Sequence, residues 1–284
     1  MIKPKFSFSQ IDLYKRCPKA YEFQHIKKIP QWFSVYAYFW SVIHNTLQKF
    51  FEIKKRNLEV PDLFWNIFWE DLWDLEKNFP DDSLENLLEI YNSKFNRENF
   101  GDEWENFFER WEEILINFFE EEIQNLEKNK NKKISVTPFL IEKKFQINFK
   151  DFTINWRFDR IDKITHLSNS NTKKSLNIIW DETYEIIDYK TWKLRSESDV
   201  KNDLQLWLYC IALENMWYKT SKAHLYFLDH WVKYFFEINE ENLEKSKKEC
   251  EEFFENLKQE KFEAKPEKNK CRTCSFRKYC EFKI

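Results

Sequence analysis

The sequence YEIIDYKT, from Tyr184 to Thr191, is the stretch around which the chain is organised. Its β-branched and aromatic residues are typical of a short buried strand. Side chains alternate between the two faces of a strand, so Ile186, Asp188 and Lys190 lie on one face. A carboxylate and an ammonium on such a strand are costly to bury unless they hold a metal ion or a phosphate between them. A surface ion pair is the alternative interpretation.

Length and composition predict a globular protein of one large or two small domains. The chain has 284 residues, of which 42% are hydrophobic and 19% aromatic, and this is ample for a core. No apolar run approaches about 18 residues, and residues 1–10 contain no signal-peptide core. We therefore expect a cytoplasmic protein with no membrane partner.

The net charge of -3 hides a segregation of charge along the chain. Residues 1–28 carry seven basic and two acidic side chains, and residues 261–284 carry eight and three. Residues 60–127 carry four basic and twenty acidic side chains. If the two ends meet in space they form a basic surface, while the acidic middle is expected to be the solvated side of helices.

Helical periodicity predicts three helical regions before the first strand. An N-terminal helix after Ser7 is broken at Pro18, or another helix begins there. A further helix over Tyr36–Lys54 places His44 beside an apolar stripe. His44 alone would be interpreted as a hydrogen-bonded histidine at a core boundary. The pattern stays helical from Pro61 to Lys128, with the longest helix starting just after Gly101.

Alternating apolar residues then predict a meander of strands. The predicted elements are strands Phe139–Phe149 and Phe152–Thr165 joined by a turn at Lys150–Asp151, a short strand Asn177–Trp180, the Asp188 strand, a helix Ser196–Trp217, strands Lys222–Leu228 and Val232–Ile238, and a helix ending at Gln259. Gln205 and Tyr209 are four residues apart and share one helical face.

The C-terminal tail contains Cys271, Cys274 and Cys280 as C-x2-C-x5-C. Six cysteines in a cytosolic chain favour metal ligation over disulfides, and this short spacing lets successive thiolates face one metal centre. Cys17, which alone would be a small core residue, is the candidate fourth ligand and would join the two ends. Zinc remains open on spacing alone.

Six pieces in order resemble the RecB-like branch of the PD-(D/E)XK nuclease superfamily. More closely, the chain is similar to the iron-sulfur members in AddB-type helicase-nuclease subunits and the CRISPR-adaptation exonucleases. The pieces are SFSQIDLYKRCPKAY, FWSVIHNTL, WRFDRID, IIDYKT, QLWLY and the three-cysteine tail, which together span Ser7 to Cys280.

The resemblance implies a mixed α/β (α+β) fold with a restriction-endonuclease-like core. In that fold a central mixed sheet is flanked by helices, and an iron-sulfur cluster joins the N- and C-terminal ends. We expect one nuclease domain over residues 1–284. Its parts are N-terminal helices at 1–57, a helical insertion at 58–133, the nuclease core at 134–260 and the iron-sulfur tail at 261–284.

The resemblance also implies roles for individual residues. His44, Asp159, Asp188 and the carbonyl of Tyr189 would hold Mg2+ or Mn2+, which favour oxygen ligands with an occasional imidazole. Lys190 would position or help deprotonate the attacking water, and Gln205 and Tyr209 would orient the lysine and the strand being cut. The predicted ligands of a structural [4Fe-4S] cluster are Cys17, Cys271, Cys274 and Cys280.

The implied function is a metal-dependent deoxyribonuclease, acting as a single-strand exonuclease in recombination, repair or CRISPR adaptation. Its partners would be single-stranded DNA or duplex ends and a helicase or CRISPR integrase. The chain has no G-x-x-x-x-G-K-[ST] motif of its own. The alternatives are a non-catalytic iron-sulfur DNA-binding or scaffold subunit and a zinc-stapled interaction module.

Two features depart from the family pattern. Asp159 and Asp188 are separated by 28 residues, which is longer than usual for the family. The polar loop His166–Lys174 accounts for the additional length. In addition, the chain has one glycine and 13 tryptophans, and tryptophan stands where the family has glycine or a turn needs it, at Trp40, Trp156, Trp192, Trp217 and Trp231.

We hypothesise that these positions are encoded by UGA, which the source organism reads as glycine and which is translated as tryptophan in this sequence. The physical reason is that bulky residues rarely adopt the backbone conformation of turn glycines. The alternative is a diverged protein with true tryptophans. UGG codons at Trp156 and Trp192 would exclude the hypothesis.

Overall fold

The computed structural model describes residues 3–31, 34–64, 82–166, 182–191 and 194–284. The helices are α1 (Phe8–Arg16), α2 (Pro18–Tyr21), α3 (Val35–Phe64), α4 (Leu84–Lys94), α5 (Trp104–Asn131), α6 (Glu197–Lys201), α7 (Leu204–Asn215), α8 (Glu240–Lys258) and α9 (Lys268–Arg272). The strands are β1 (Lys5–Phe6), β2 (Ile134–Ile141), β3 (Lys144–Asn148), β4 (Thr153–Arg157), β5 (Arg160–His166), β6 (Glu182–Lys190), β7 (Thr220–Phe227) and β8 (Val232–Glu237).

The strands form two mixed sheets. The larger has the order β2-β5-β6-β7-β8, and β6 and β7 are parallel while its other pairs are antiparallel. The smaller has the order β1-β4-β3, with β1 parallel to β4. The parallel pair requires a crossover, which α6 and α7 supply. The chain therefore departs from a simple meander after β6, and its mixed sheets flanked by helices fit a restriction-endonuclease-like fold.

The larger sheet separates two hydrophobic cores. Ile186 belongs to the core that includes residues of α1, α7 and α8, whereas Ile187 and Tyr189 belong to the core formed with α3, α4 and α5. The α7 sequence LQLWLYCIAL is buried on all sides, as expected of a helix that is apolar around its circumference. Its two polar exceptions, Gln205 and Tyr209, face β6.

The two long strands predicted between Phe139 and Thr165 are each broken in two. The turn at Lys150–Asp151 forms, and the Phe149 N–H donates to the Phe152 carbonyl at 2.9 Å. However, the first strand stops at Ile141 and resumes at Lys144, and the second stops at Arg157 and resumes at Arg160. The hairpin thus continues from the small sheet into the large one, and the change of sheet interrupts both strands.

The predicted helices form, and one detail of the prediction was wrong. Of the two possibilities at Pro18, the start of a second helix is observed, because proline is tolerated in the first turn of a helix. The longest helix is α3, with 30 residues, and not α5, with 28. Trp111, Leu115 and Phe118 are buried on α5 as expected. None of the described helices combines the length and apolar character that a membrane crossing requires.

The two ends of the chain meet. The Tyr14 hydroxyl donates to the Lys261 carbonyl at 2.5 Å, and Lys265 Nζ donates to the Lys15 carbonyl at 3.2 Å. The rings of Phe23 and Phe276 lie 6.0 Å apart. The two basic segments of the sequence are therefore adjacent in the fold.

Two of the anomalous tryptophans have a left-handed backbone. Trp217 has φ 65° and Trp231 has φ 57°. Trp217 directly follows the C-cap of α7, where its N–H donates to the Glu214 carbonyl and the next N–H donates to the Leu213 carbonyl. This is the Schellman arrangement, whose left-handed position is usually glycine. Both conformations are those that the glycine hypothesis predicts.

Trp40 and Trp156 do not have this backbone, since Trp40 lies within α3 and Trp156 within β4. Trp192, the short strand predicted at Asn177–Trp180 and residues 167–174 of the predicted polar loop lie outside the described residues.

Candidate active site

The break in the hairpin creates the centre of the candidate site. Register between the broken strands places Glu142 opposite Asp159, and the Glu142 N–H donates to the Asp159 carbonyl at 3.0 Å. Glu142 has a left-handed backbone with φ 47°. Such conformations are costly for residues other than glycine and are found most often at functional sites. The change of sheet therefore directs two carboxylates to the same point.

His44 completes this group from α3. Its Nδ1 lies 3.5 Å from Asp159 Oδ2 and 3.6 Å from Glu142 Oε1. One ligand atom from each of His44, Glu142 and Asp159 lies within 4.8 Å of the others, and we call these three residues the donor cluster. His44 is 4% exposed, and its Nε2 has no hydrogen-bond partner. A buried ring nitrogen without a partner beside two carboxylates is what a cation site requires.

The carboxylates also set the charge of the imidazole. Burial lowers the pKa of His44, but the charges of Asp159 and Glu142 outweigh burial and raise it above its ordinary value. Glu142 is paired on its other oxygen with Arg157, which reaches it from the exposed side. The donor cluster therefore contains two carboxylates whose negative charge acts directly on the His44 ring, and Arg157 offsets that of Glu142 from outside.

Asp188 and Lys190 lie beside the donor cluster on β6. Asp188 is fully buried, and its Oδ2 lies 2.6 Å from Lys190 Nζ. Burial raises the pKa of Asp188 to about 7, the Lys190 charge opposes this rise, and Asp159 adds to it. Burial also disfavours the charged form of Lys190, but the charges of the neighbouring carboxylates, Asp188 first, raise its pKa overall.

Gln205 on α7 connects these two side chains. Lys190 Nζ donates to Gln205 Oε1 at 2.8 Å, and Gln205 Nε2 donates to Asp188 Oδ1 at 2.8 Å. Gln205 Nε2 also lies 2.8 Å from the Tyr209 hydroxyl, which donates to Asp188 Oδ1 at 3.4 Å. The predicted helical face of Gln205 and Tyr209 is thus packed against the predicted strand face of Asp188 and Lys190.

The predicted ligand set and the observed donor cluster overlap without being identical. His44 and Asp159 are in both, while the carboxylate of Asp188 lies outside the 4.8 Å group and Glu142 lies inside it. Tyr189 takes part in the site through its N–H, which donates to Asp159 Oδ2 at 3.0 Å. That bond fixes the Asp159 carboxylate against β6.

Glu142 was missed at the level of sequence, although a signal for it existed. A turn at Lys150–Asp151 sets the register of the hairpin, and this register places Glu142 opposite Asp159. A glutamate directly after the apolar strand residues Phe139, Leu140 and Ile141 is an unusual place for a charge. Counting the pairing of the two predicted strands back from this turn would have found it.

Two of the anomalous tryptophans border the site. The Trp40 ring lies over the His44 ring, with 3.9 Å between the ring centroids. Trp156 is a hydrogen-bond partner of the Tyr209 hydroxyl and also contacts Phe8. Glycine at either position would leave the site more open than it is with an indole.

The four predicted cluster cysteines are free and partly buried. The pKa of Cys274 is raised by burial first and then by the charges of Cys17 and Cys280, so these three thiols are neighbours across the two chain ends. Within the described residues, no three cysteine sulphurs lie inside the 4.8 Å limit that the donor cluster meets. The two chain ends are therefore in contact, but among the described residues their cysteine sulphurs do not form a group compact enough to bind a single ion.

Sequence comparison places the chain in a known superfamily. The sequence model of the PD-(D/E)XK nuclease superfamily matches residues 5–281. A search of curated protein sequences gave no match.

A solved structure titled "Crystal structure of SSO0001" is similar at 16% identity, covering 69% of this chain and 76% of that one, with a TM-score of 0.31. This similarity is too low to bear on the site. The match of the superfamily covers nearly the whole chain, from β1 to the C-terminal tail, and includes every residue of the donor cluster. The chain therefore belongs to the PD-(D/E)XK nuclease superfamily.

Proposed function

We propose that this protein is a Mg2+- or Mn2+-dependent single-strand DNA exonuclease. Membership of the superfamily supports a nuclease that acts on DNA with divalent metal ions. The observation that carries metal-dependent cleavage is the donor cluster beside a charged lysine on β6, and the resemblance to the RecB-like branch suggests single-strand exonuclease specificity. We further propose that it acts in the cytoplasm, as one nuclease domain over residues 1–284, in recombination, repair or CRISPR adaptation.

The residues present fit a hard divalent cation. The donor cluster offers two carboxylates and one imidazole, a set that suits Mg2+ or Mn2+, and His44 Nε2 is buried without a partner. We propose that His44, Glu142 and Asp159 hold the ion, with Asp188 and the Tyr189 carbonyl as the ligands implied by the family. When bound, the ion would polarise the phosphoryl oxygen and lower the pKa of the attacking water.

Lys190 is assigned an electrostatic role. Its pKa is raised, so the side chain is an ammonium at neutral pH and a poor acceptor of a proton. It would orient the attacking water and offset charge that develops on the phosphate. Of the two roles that the sequence left open, positioning is therefore favoured over deprotonation.

Gln205 and Tyr209 would hold the catalytic side chains in place. Gln205 bonds both Lys190 and Asp188, so it fixes the distance between the ammonium and the carboxylate. Tyr209 supports Gln205 and the same Asp188 oxygen. Rigid placement of this kind contributes to catalysis because the reacting groups need no reorganisation.

We propose a structural [4Fe-4S] cluster on Cys17, Cys271, Cys274 and Cys280. Each thiolate of such a cluster binds a different iron atom, so the sulphurs need not lie as close as around one zinc ion. The packing of Phe23 against Phe276 brings the first cysteine segment to the last three. Absorption near 400 nm in anaerobically purified protein would distinguish this cluster from zinc.

The test is a Mn2+-dependent assay on end-labelled single-stranded DNA with a Lys190→Ala control. We expect stepwise shortening from one end that is lost in the control. A folded brown protein that binds DNA and does not shorten it would contradict the proposal and favour a non-catalytic subunit. Release of internal fragments would contradict the exonuclease assignment alone. Addition of a helicase or a CRISPR integrase to the same assay tests for these proposed partners.

A further inference from the structure

A basic groove lies between the start of α3 and the C-terminal tail. It has a volume of about 750 Å³, and the residues that matter here are Ser34, Tyr36, Arg272, Arg277, Lys278 and Lys283. All four cations are exposed, and no acidic residue lines the groove. Arg272, Arg277 and Lys283 form no ion pair within the described part of the chain.

The start of α3, which lines the groove, is connected to the candidate active site by one face of this helix. Tyr36, Trp40 and His44 are spaced by four residues, so they lie on one face of the helix. Along this face the exposed fraction falls from 57% at Tyr36 to 37% at Trp40 and 4% at His44. Eight residues of helix span about 12 Å. A strand lying in the groove would therefore reach the donor cluster within a short distance.

We propose that the basic groove binds the backbone of single-stranded DNA and delivers its end to the donor cluster. The proposal rests on the proposed nuclease function and adds the path of the substrate. Single strands bind along positively charged grooves with aromatic rings on which bases stack. We assign the stacking role to Tyr36 rather than Trp40, because Trp40 is one of the positions at which glycine is hypothesised.

The test measures binding without cleavage. A fluorescein-labelled oligothymidylate of about 16 nucleotides is titrated with the full chain, purified anaerobically, in EDTA at several salt concentrations. Each phosphate contact contributes about 0.7 to the slope of log affinity against log salt for single strands. Arg272→Ala/Arg277→Ala should therefore weaken binding and make the slope shallower by about 1.4.

One control variant and one second groove variant are measured in the same way. Lys128→Ala/Lys130→Ala removes two exposed cations at the end of α5 and should leave the slope unchanged. Because Arg272, Arg277 and Lys278 lie among the tail cysteines, absorption near 400 nm and the thermal midpoint are recorded for each variant, and Lys278→Ala/Lys283→Ala is tested in parallel as a second groove variant. Both groove variants should give the shallower slope.

Tyr36→Ala tests stacking separately. Loss of one stacked base is expected to weaken binding by about 5- to 100-fold, with Tyr36→Phe close to the wild type. Unchanged binding in both groove variants, while DNA is still cleaved, would overturn the groove and leave the proposed function standing. A chain that neither binds nor cleaves DNA would overturn the proposed function itself. Equal affinity and slope on a blunt duplex would overturn the single-strand assignment.

Discussion

Two groups of buried charged side chains lie close together in this protein, and only one of them has the character of an active site. The first is the donor cluster of His44, Glu142 and Asp159. The second, which we call the arginine network, consists of Arg160, Asp162 and Glu122. Asp159 and Arg160 are adjacent in the sequence, so composition and burial alone would not separate the two groups.

The arginine network is saturated. Arg160 Nε and Nη2 donate to the two oxygens of Asp162 at 2.7 and 2.6 Å, Nη2 also donates to Glu122 at 3.1 Å, and Nη1 donates to the Tyr189 hydroxyl at 3.1 Å. Its guanidinium lies 3.8 Å from the Phe51 ring centroid. Burial opposes ionisation of Glu122, but Arg160 and Lys54 outweigh it and lower the pKa of Glu122. Every charge in the network has its partner.

The donor cluster is unsaturated. His44 Nδ1 lies 3.5 Å from Asp159 and 3.6 Å from Glu142, and these distances are longer than the bonds of the arginine network. His44 Nε2 has no hydrogen-bond partner. The nearby carboxyl of Asp188 has its pKa raised by burial to about 7, whereas that of Glu122 is lowered. The comparison shows that buried charged side chains indicate a functional site when some of their polar atoms have no hydrogen-bond partner.

Asp162→Asn should have the largest effect on stability. It removes one charge of a buried pair whose side chains are 6% and 4% exposed, and breaking such a pair costs about 3–5 kcal/mol. Asp159→Asn is the matched control, because it keeps an acceptor for the Tyr189 N–H and relieves repulsion among carboxylates. We expect the metal-free control to unfold within about 1 kcal/mol of the wild type. Urea denaturation measures both, and equal losses would erase the distinction between the two groups.

Cleavage should rank the same two variants in the opposite order. Loss of a residue that supports a metal ligand costs about 10- to 100-fold, so loss of a ligand should reduce cleavage by on the order of 100-fold or more. We expect this of Asp159→Asn. Asp162→Asn, assayed at low temperature and corrected for its folded fraction, should cleave near the wild-type rate. A similar loss in both variants would mean that the network takes part in the reaction.

Glu142→Gln tests the ligand that the sequence did not predict. The amide keeps the shape of the side chain but lacks the charge, and we expect Mn2+ affinity to fall by at least about tenfold. Glu185→Gln is the control, because Glu185 is bonded to His224 outside the donor cluster. Isothermal titration with Mn2+ measures the change. Unaltered affinity in Glu142→Gln would remove Glu142 from the site.

The pKa values of His44, in the donor cluster, and of His224, which is bonded to Glu185, should be shifted in opposite directions. The resulting change in stability with pH is the smallest of the predicted effects. The pKa of His44 is raised, so in the metal-free protein His44 adds stability below about pH 6.5 that is lost as pH rises through its folded pKa. The pKa of His224 is lowered, chiefly by burial, so stability falls as pH drops below about 6.5. Ring-proton NMR, assigned with His44→Asn and His224→Asn, checks the order. A His44 pKa at or below that of His224 would contradict it.

The sequence predicted the components of the site better than their assembly. Residues with strong local patterns, such as Asp188 and Lys190 on β6 and Gln205 and Tyr209 on α7, were placed correctly because strand and helix periods determine their faces. The donor cluster depends on a hairpin that passes between two sheets, and alternation alone does not show where a strand changes sheet. Glu142 was missed for this reason.

The contact between the two chain ends was expected from cysteine spacing and charge. The sequence did not predict that α3 continues beyond Lys54, because the apolar stripe of this helix fades before the helix ends. The glycine hypothesis predicted left-handed turns at Trp217 and Trp231, and both are present. At Trp40 and Trp156 the same hypothesis rests on the resemblance and on the crowding of the site, since neither residue has a strained backbone.

The most direct test of the unsaturated cluster as a metal centre is electron paramagnetic resonance of Mn2+ added to metal-free protein. Wild type and Asp162→Asn, both held at a temperature where they are folded, should remove the signal of free Mn2+ in a saturable manner. Asp159→Asn should leave that signal unchanged over the same range. Equal Mn2+ binding by Asp159→Asn and the wild type would contradict the account, because it would place the metal away from the donor cluster.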